Sequence, residues 1–258
     1  MSRVLKVATW NIFGGRVWDG SRVDLDLTLT TLRRLDADLV AVQEVDRDQG
    51  RSHRADQARL LGEALGMEWR YAPALLGTPG SPEGWRAPVP GDDDPGGTAY
   101  GIALLSRLPL ERVETVLLPQ SGRDEPRVAL VAGLADGDRR LTVAGTHLSF
   151  VPGPNVGQLR ALQRHLDERG GPRLLLGDLN LWWPAVRLLS LPGWRPLVRG
   201  GTFRNRPPGS SAPLVQLDHV LAAGAGAGAG ATLHPRGSRI VSGPASDHRA
   251  VVVELDWR

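Results

Sequence analysis

Polar side chains that can bind a metal or move protons follow short apolar runs at six places in the chain. The runs have the length and composition of buried strands, and each one ends in an acid, an amide or a histidine. The six endings are Trp10-Asn11, Gln43-Glu44, Thr146-His147, Asp178-Leu179-Asn180, Gln216-Leu217-Asp218-His219 and Ser246-Asp247-His248. Strand ends in a layered α/β protein can meet at one edge of the sheets, where active sites are common. We therefore expect these side chains to form one site.

The residue types in this set indicate hydrolysis of a phosphate ester with the help of a divalent cation. The chain has no cysteine, which excludes thiolate nucleophiles, disulfides and cysteine-based zinc sites. Carboxylates and amides are hard oxygen ligands that suit Mg²⁺ or Mn²⁺. Phosphate ester hydrolysis needs neutralised phosphate oxygens, an activated water in line with the bond, and a stabilised leaving oxygen. Asp178 and Asn180 are two residues apart and project from one side of an extended segment, so one can bind water or metal while the other orients the phosphate.

Each motif alone also has a purely structural interpretation. Asp178 and Asn180 can form an Asx turn that only ends a strand. Glu44 can be a solvated carboxylate, and Asp247-His248 can cap the last strand. All six motifs, however, share one position relative to a strand and one ligand chemistry. A common site explains this coincidence better than six unrelated structural roles.

The elements that would position these residues alternate between strand and helix only at the start of the chain. Asp24 and Asp56 are predicted to begin helices, the second of which ends at Gly66, and further helices are predicted over 155–168 and 184–190. The predicted strands are 3–9, 39–42, 68–74, 100–106, 112–118, 127–135, 140–147, 173–177, 214–222, 237–241 and 249–256. The consecutive strands after residue 68 predict two mostly antiparallel sheets packed together and covered by helices.

The composition and the positions of the irregular segments predict one soluble domain over residues 1–258. The irregular segments 75–98 and 223–230 do not separate two cores, because polar motifs fall on both sides of each. No signal-peptide pattern and no apolar run of about 20 residues is present, so we expect a cytoplasmic monomer without membrane insertion. The net charge of +3 permits an anionic substrate without identifying one.

In their order along the chain, the motifs resemble the endonuclease/exonuclease/phosphatase superfamily, which includes pancreatic deoxyribonuclease, apurinic-site endonucleases, inositol polyphosphate 5-phosphatases and bacterial sphingomyelinases. The resemblance spans residues 8 to 248. It is carried by Ala8-Thr9-Trp10-Asn11, Val42-Gln43-Glu44, Tyr100-Gly101-Ile102-Ala103-Leu104-Leu105-Ser106-Arg107, Arg127-Val128-Ala129-Leu130, Gly145-Thr146-His147-Leu148, Gly177-Asp178-Leu179-Asn180, Leu217-Asp218-His219-Val220 and Ser246-Asp247-His248. The resemblance implies a four-layer α/β/β/α sandwich with the site at one edge of the two sheets.

The resemblance also implies roles for individual residues. Glu44 would be the principal metal ligand, with Asn11 and Asp247 near the metal. Asp218 would orient His248 as general base or phosphate-polarising group. Asp178 and Asn180 would align the attacking water and the scissile phosphate, and the water's proton is assigned to the pair Asp178/His248. The phosphate contacts implied are Asn180, His147 and Arg127.

One departure from the pattern concerns the residues just before Ala103. Relatives often carry an amide or acid there that supports the catalytic histidine, whereas this chain has Gly101 and Ile102. This leaves the support of His147 in doubt.

The resemblance specifies a reaction class and leaves the substrate open. We expect a metal-dependent phosphodiesterase of nuclease type, with DNA or another nucleic acid as a substrate to be tested. The run Asp92–Asp94 would repel a nucleic acid backbone, and no clustered basic helix is evident. The alternatives are a phosphatase or phosphodiesterase for a small molecule or lipid headgroup, and a non-catalytic binding module.

Overall fold

Two β-sheets packed face to face form the centre of the protein. The computed structural model describes residues 3–78, 84–92, 96–122, 124–204, 215–224 and 233–258. Within these ranges the first sheet contains, in spatial order, β12 (Leu233–Val241), β13 (Ala250–Trp257), β1 (Arg3–Asn11), β2 (Leu39–Arg47), β5 (Ala99–Ser106), β3 (Glu68–Gly77) and β4 (Trp85–Arg86). The second contains β10 (Arg195–Pro196), β11 (Asp218–Ala223), β9 (Arg173–Asp178), β8 (Arg139–His147), β7 (Val128–Asp136) and β6 (Leu110–Leu117).

Antiparallel pairing dominates both sheets, as predicted. Strand β1 runs parallel to β2, and β8 runs parallel to β9, while the other pairs within the described ranges are antiparallel. Parallel neighbours need a crossover connection, which is usually a helix. Helix α1 (Leu25–Leu35) connects the first parallel pair, and α3 (Pro154–Asp167) connects the second.

The alternation of side chains along each strand divides the apolar residues among three cores. In β1, Leu5 and Val7 lie between the sheets, whereas Ala8 and Trp10 lie on the outer face under the first two helices. Helix α2 (Gln57–Leu65) packs with α1 on this outer face, and α4 (Trp183–Leu189) packs with α3 on the outer face of the second sheet. Strands buried on both faces need apolar residues at every position, which explains the continuous apolar runs. The four-layer α/β/β/α sandwich is confirmed.

The predicted helix starts are confirmed in their atomic detail. The carboxylate of Asp24 accepts the backbone N–H of Leu27 at 2.9 Å, and that of Asp56 accepts the N–H of Arg59 at 3.1 Å. Each side chain thereby satisfies one N–H that has no partner within its own helix. Gly66 ends α2 with a φ of 63°, a left-handed conformation that glycine adopts without steric cost.

Three strand boundaries differ from the prediction by four residues or more. Strand β2 continues past residue 42 to Arg47, and β12 begins at Leu233 rather than at residue 237. The strand predicted over 214–222 begins only at Asp218. The backbone N–H groups of Asp218 and Leu217 donate to the hydroxyl of Thr202 at 3.1 and 3.0 Å. At this point a side chain, rather than the backbone of a neighbouring strand, accepts these hydrogen bonds.

The two irregular segments are only partly described. Gly77 and the short strand β4 lie within 75–98, so part of that segment extends the first sheet. Residues 79–83 and 93–95, and most of the predicted connector 223–230, lie outside the described residues. Where the chain is described, none of its helices combines the length and the apolar character that crossing a membrane requires.

Candidate active site

Polar residues take over the inward-facing positions at one end of several strands. Because side chains alternate along a strand, a residue two or four positions from an inward apolar residue also faces the opposite sheet. Such pairs of apolar and polar inward residues are Val7 and Asn11, Val143 and His147, Leu176 and Asp178, and Val220 and Asp218. These ends belong to both sheets, so the polar residues line the edge of the interface between them.

Asn11 joins acidic groups from the two sheets. Its Nδ2 donates to Glu44 Oε1 at 2.9 Å and to Asp178 Oδ2 at 3.1 Å. Its Oδ1 accepts the N–H of Phe13 at 3.0 Å, which determines which way the amide points. Asn11 therefore presents N–H groups, rather than its oxygen, to the acidic cluster.

Glu44 reaches the cluster because strand β2 is irregular at this residue. The pairing of β2 with β5 shifts between Gln43 and Val45, and Glu44 has a φ of 56°. A bulge re-aims a side chain, and a left-handed φ in a residue other than glycine costs free energy that neighbouring structure must offset. Burial raises the pKa of Glu44, as do the charges of Asp247 and Asp178. The hydrogen bond from Asn11 and the charge of His248 oppose this increase.

His248 lies between two carboxylates. Its Nδ1 is 2.8 Å from Asp218 Oδ2, and its Nε2 is 3.7 Å from Asp178 Oδ2. Burial by itself lowers the pKa of His248, but Asp218, Asp178 and Asp247 outweigh burial and raise that pKa to about 10. The bond to Asp218 sets the orientation of the imidazole and leaves Nε2 facing the cluster.

Several contacts fix the loop that carries His248. The Ser246 hydroxyl donates to Asn11 O at 2.6 Å and accepts the His248 N–H at 3.0 Å. The Trp10 indole donates to His248 O at 3.2 Å, and the ring of Phe203 lies 4.9 Å from the imidazole, centroid to centroid. Phe203 is far from His248 in sequence, and no sequence pattern pointed to this contact.

His147 and Asn180 are neighbours in the part of the site that belongs to the second sheet. Asn180 Nδ2 lies 3.2 Å from His147 Nε2 and donates to Leu148 O at 2.9 Å. Asp178 Oδ1 accepts the Asn180 N–H at 3.0 Å, so the Asx turn exists and also belongs to the site. Burial, followed by the charges of Arg127 and His248, lowers the pKa of His147 well below its usual value. His147 is consequently a neutral imidazole here.

The departure at Gly101 and Ile102 has a packing explanation. A Cβ at Gly101 would overlap the carbonyl oxygen of Ala72 on the neighbouring strand, and Ile102 packs in the core between the sheets. Position 101 therefore has no room for a side chain, and position 102 carries an apolar one. Asn180 and Asp178, whose Oδ2 is 3.5 Å from His147 Nε2, are the polar neighbours of His147 instead.

Arg127 and Tyr100 lie beside the acidic cluster. Arg127 is buried, its guanidinium is 3.4 Å from Glu125 Oε1, and its Nε has no hydrogen-bond partner among the described residues. Burial and the charges of Glu44 and Glu125 raise the pKa of Tyr100 well above its usual value. The guanidinium of Arg51 lies 5.3 Å from the Tyr100 ring. Tyr100 begins the segment that ends at Arg107, so its position was visible in the sequence although no role was assigned to it.

A family model confirms what the order of motifs suggested. The model described as the Endonuclease/Exonuclease/phosphatase family matches residues 8–248. The chain belongs to this family. Members of the Endonuclease/Exonuclease/phosphatase family are hydrolases that act on phosphoester bonds. No curated protein matches the sequence.

Solved structures share the fold over nearly the whole chain. An endonuclease/exonuclease/phosphatase from Beutenbergia cavernae is 26% identical, with a TM-score of 0.73 over 98% of this chain and 72% of that one. A family protein from Bacteroides thetaiotaomicron is 18% identical, with a TM-score of 0.72 over 99% and 98%. D. rerio TDP2, complexed with a single-strand DNA product, is 16% identical, with a TM-score of 0.68 over 98% of each chain. The latter two likenesses concern the fold alone.

The residues of this family site fit a divalent cation. Burial raises the pKa values of Glu44, Asp178 and Asp247. The negative charges of Asp178 and Asp247 raise the pKa of Glu44 further. A dication would offset this repulsion, and carboxylate oxygens are ligands that Mg²⁺ and Mn²⁺ prefer. Ligand atoms of Asp178, Asp218 and His248 also lie within 4.8 Å of one another. Because Asp218 already holds His248 Nδ1, however, we regard Glu44 and Asp247 as the better cation ligands.

Residues that the sequence left without a catalytic role are placed away from this cluster. His219 faces away from the interface between the sheets and is buried, with Nε2 2.7 Å from Leu181 O. His53 and His234 are exposed. His165 is half-buried and lies 2.6 Å from Glu114 Oε1.

Proposed function

We propose that the protein is a divalent-metal-dependent phosphodiesterase of nuclease type that hydrolyses its substrate by in-line attack of water. The observation that carries this proposal is the hydrogen-bonded bridge from Glu44 through Asn11 to Asp178, which unites acids from both sheets next to His248. Family membership supports the reaction class. A binding module without activity would not need this complete set of buried acid, amide and imidazole groups.

Glu44 and Asp247 would hold Mg²⁺ or Mn²⁺, with Asn11 orienting Glu44. The bound ion would supply Lewis-acid stabilisation of charge on the phosphate and on the leaving oxygen. Asn11 acts through its N–H groups in this scheme, because its oxygen is held by Phe13. Asn11 would then lie near the ion and hold the Glu44 carboxylate through an N–H group.

The protein's own groups would position the water and the phosphate. Asp178 and Asn180 align the attacking water, and the pair Asp178/His248 receives its proton. Asp218 keeps the His248 imidazole in the orientation that leaves Nε2 free for the phosphate. Neutral His147 would add a hydrogen bond to the phosphate, and Arg127 would add positive charge.

Nucleic acid is our first candidate substrate. D. rerio TDP2, whose fold this chain shares, was solved with a single-strand DNA product. The exposed Trp182 lies two residues after Asn180, and Phe150 is exposed three residues after His147. Unpaired bases stack on exposed aromatic side chains with little sequence preference. These two side chains would therefore contact bases on either side of the scissile phosphate.

A second candidate is an ester of a small molecule or lipid headgroup, and a cleft beside Arg127 favours it. This cleft has a volume of about 520 Å³ and is lined by Trp85, Phe150, Asp124 and Glu125, among others. Its carboxylates would repel a nucleic acid backbone, whereas its aromatic rings suit a compact organic group.

Hydrolysis of bis(p-nitrophenyl) phosphate tests the proposed reaction class. We expect turnover with Mg²⁺ or Mn²⁺, its loss with a chelator, and its recovery when the ion is restored. Glu44→Gln should lower kcat at least about 100-fold, because it removes a charged ligand of the ion. Glu111→Gln is the matched control, since Glu111 is exposed on β6. Wild-type turnover by Glu44→Gln would show that the site is assigned wrongly.

Comparison of plasmid DNA, single-stranded DNA and small diesters separates the two candidate substrates. Metal-dependent cleavage of DNA at physiological salt supports the nuclease. Rapid turnover of small diesters together with no attack on either DNA rejects it and supports the second candidate.

A further inference from the structure

Two arginines belong to the short backbone ladder that carries His248. Arg204 and Arg249 are half-buried, and the Nε atom of each is buried without a hydrogen-bond partner among the described residues. Neither guanidinium forms an ion pair within the described ranges. The adjoining residues 205–214 contain no Asp or Glu in the sequence.

Backbone pairing holds the two arginines at the edge of the site. Phe203 pairs with His248 in an isolated antiparallel bridge. The Arg204 N–H donates to Asp247 O at 3.0 Å, and the Arg249 N–H donates to Thr202 O at 2.7 Å. The backbone positions of both arginines therefore depend on the same short ladder that positions His248.

The side chains of Arg204 and Arg249 are both partly removed from water. Burial lowers the pKa of Arg204, the neighbouring charge of Arg249 lowers it further, and Asp247 opposes both. Two partly desolvated guanidinium groups without a carboxylate partner are unfavourable by themselves. An anion bound between them would remove this penalty, and the planar guanidinium matches a phosphate group through paired hydrogen bonds.

We infer that Arg204 and Arg249 form a second anion subsite, which binds a phosphate group of the substrate other than the one that is hydrolysed. This inference rests on the proposed function, because it places the scissile phosphate at Glu44 and His248. The second phosphate would belong either to the adjacent link of a nucleic acid chain or to a small bisphosphate ester. The two arginines would determine specificity without taking part in the chemical step.

A pair of reporter substrates tests the subsite. The p-nitrophenyl ester of thymidine 5′-phosphate, with or without a 3′-phosphate, differs only by one phosphate. We expect the 3′-phosphate to raise kcat/KM at least about tenfold through a lower KM, as a charge-assisted contact should. Arg204→Gln and Arg249→Gln should each remove most of this gain and leave the ester without 3′-phosphate unchanged within about twofold.

Matched variants exclude general effects of charge and folding. Arg34→Gln removes an exposed arginine on α1 and should keep the full gain. Arg249→Lys keeps the positive charge and should keep part of the gain in kcat/KM that the 3′-phosphate gives. Turnover of the ester without 3′-phosphate reports whether each variant is folded.

Inhibition of bis(p-nitrophenyl) phosphate turnover, at constant ionic strength, separates the two sources of a second phosphate. Arginine-dependent inhibition by thymidine 3′,5′-bisphosphate supports a nucleic acid source. Arginine-dependent inhibition by inositol 1,4-bisphosphate alone supports a small bisphosphate. If neither reporter nor inhibitor distinguishes Arg204→Gln and Arg249→Gln from the wild type while the diester is still hydrolysed, the subsite is rejected and the proposed function stands. Absence of any metal-dependent diester turnover would instead reject the proposed function.

Discussion

Replacing His219 with glutamine should make the stability of the protein less sensitive to acid. His219 is buried in β11, with Nε2 2.7 Å from Leu181 O and Nδ1 3.2 Å from Gln216 Nε2. A carbonyl oxygen only accepts, so Nε2 carries the proton, and Nδ1 accepts from the Gln216 amide. Burial lowers the pKa of His219 to about 4, against opposing contributions from Leu181 and Asp218.

The sign of the effect follows from the two pKa values of His219. In the unfolded chain the imidazole titrates near 6.5, whereas in the folded protein it titrates at about 4. Protonation therefore favours the unfolded chain. The contribution to stability is fully present above pH 6.5 and is lost as pH falls through about 4. A difference of about 2.5 pKa units corresponds to about 3 kcal/mol in total, of which about 2 kcal/mol is lost by pH 5.

Urea denaturation at pH 7.5, 6 and 5 measures this loss. Between pH 7.5 and 5, the free energy of unfolding of His219→Gln should fall by about 2 kcal/mol less than that of the wild type. Other titrating groups contribute equally to both proteins and cancel in the comparison. His234→Gln, which replaces an exposed histidine, should behave like the wild type. An equal loss in His219→Gln and the wild type would contradict the assignment of a neutral, buried imidazole.

Three further substitutions test the site and the strands and helix around it. Asp218→Asn removes the charge that orients the His248 imidazole and lowers the pKa of His248 from its raised value. On the proposed mechanism, kcat on bis(p-nitrophenyl) phosphate should therefore fall about 10²–10⁴-fold, and an unchanged kcat would contradict the proposed role of Asp218. Gly177→Ala should destabilise the fold by several kcal/mol in thermal or urea unfolding, because its Cβ would overlap the Thr146 carbonyl oxygen. Gly157→Ala in α3 meets no atom within 4 Å and should instead stabilise by about 0.5–1 kcal/mol, so similar effects of the two changes would refute the packing argument.

Much of the fold could be predicted because its determinants are local. The caps at Asp24 and Asp56 depend on a side chain and an N–H three residues away, which a short sequence window contains. The alternation of burial along a strand is equally local, and it explains why His219 turns away from Asp218. The family order of motifs then linked these elements to a phosphoester hydrolase.

The tertiary structure alone decided how the site is assembled. The left-handed φ of Glu44, the amide orientation of Asn11 and the contact of Phe203 with His248 depend on partners that are remote in sequence. The pKa values of the site residues also depend on remote partners, because a pKa reflects the combined effect of burial and all nearby charges. That sum gives His147 a lowered pKa and His248 a raised one. Sequence determines which groups are available, whereas distance and desolvation, which only the folded chain defines, determine what each group can do.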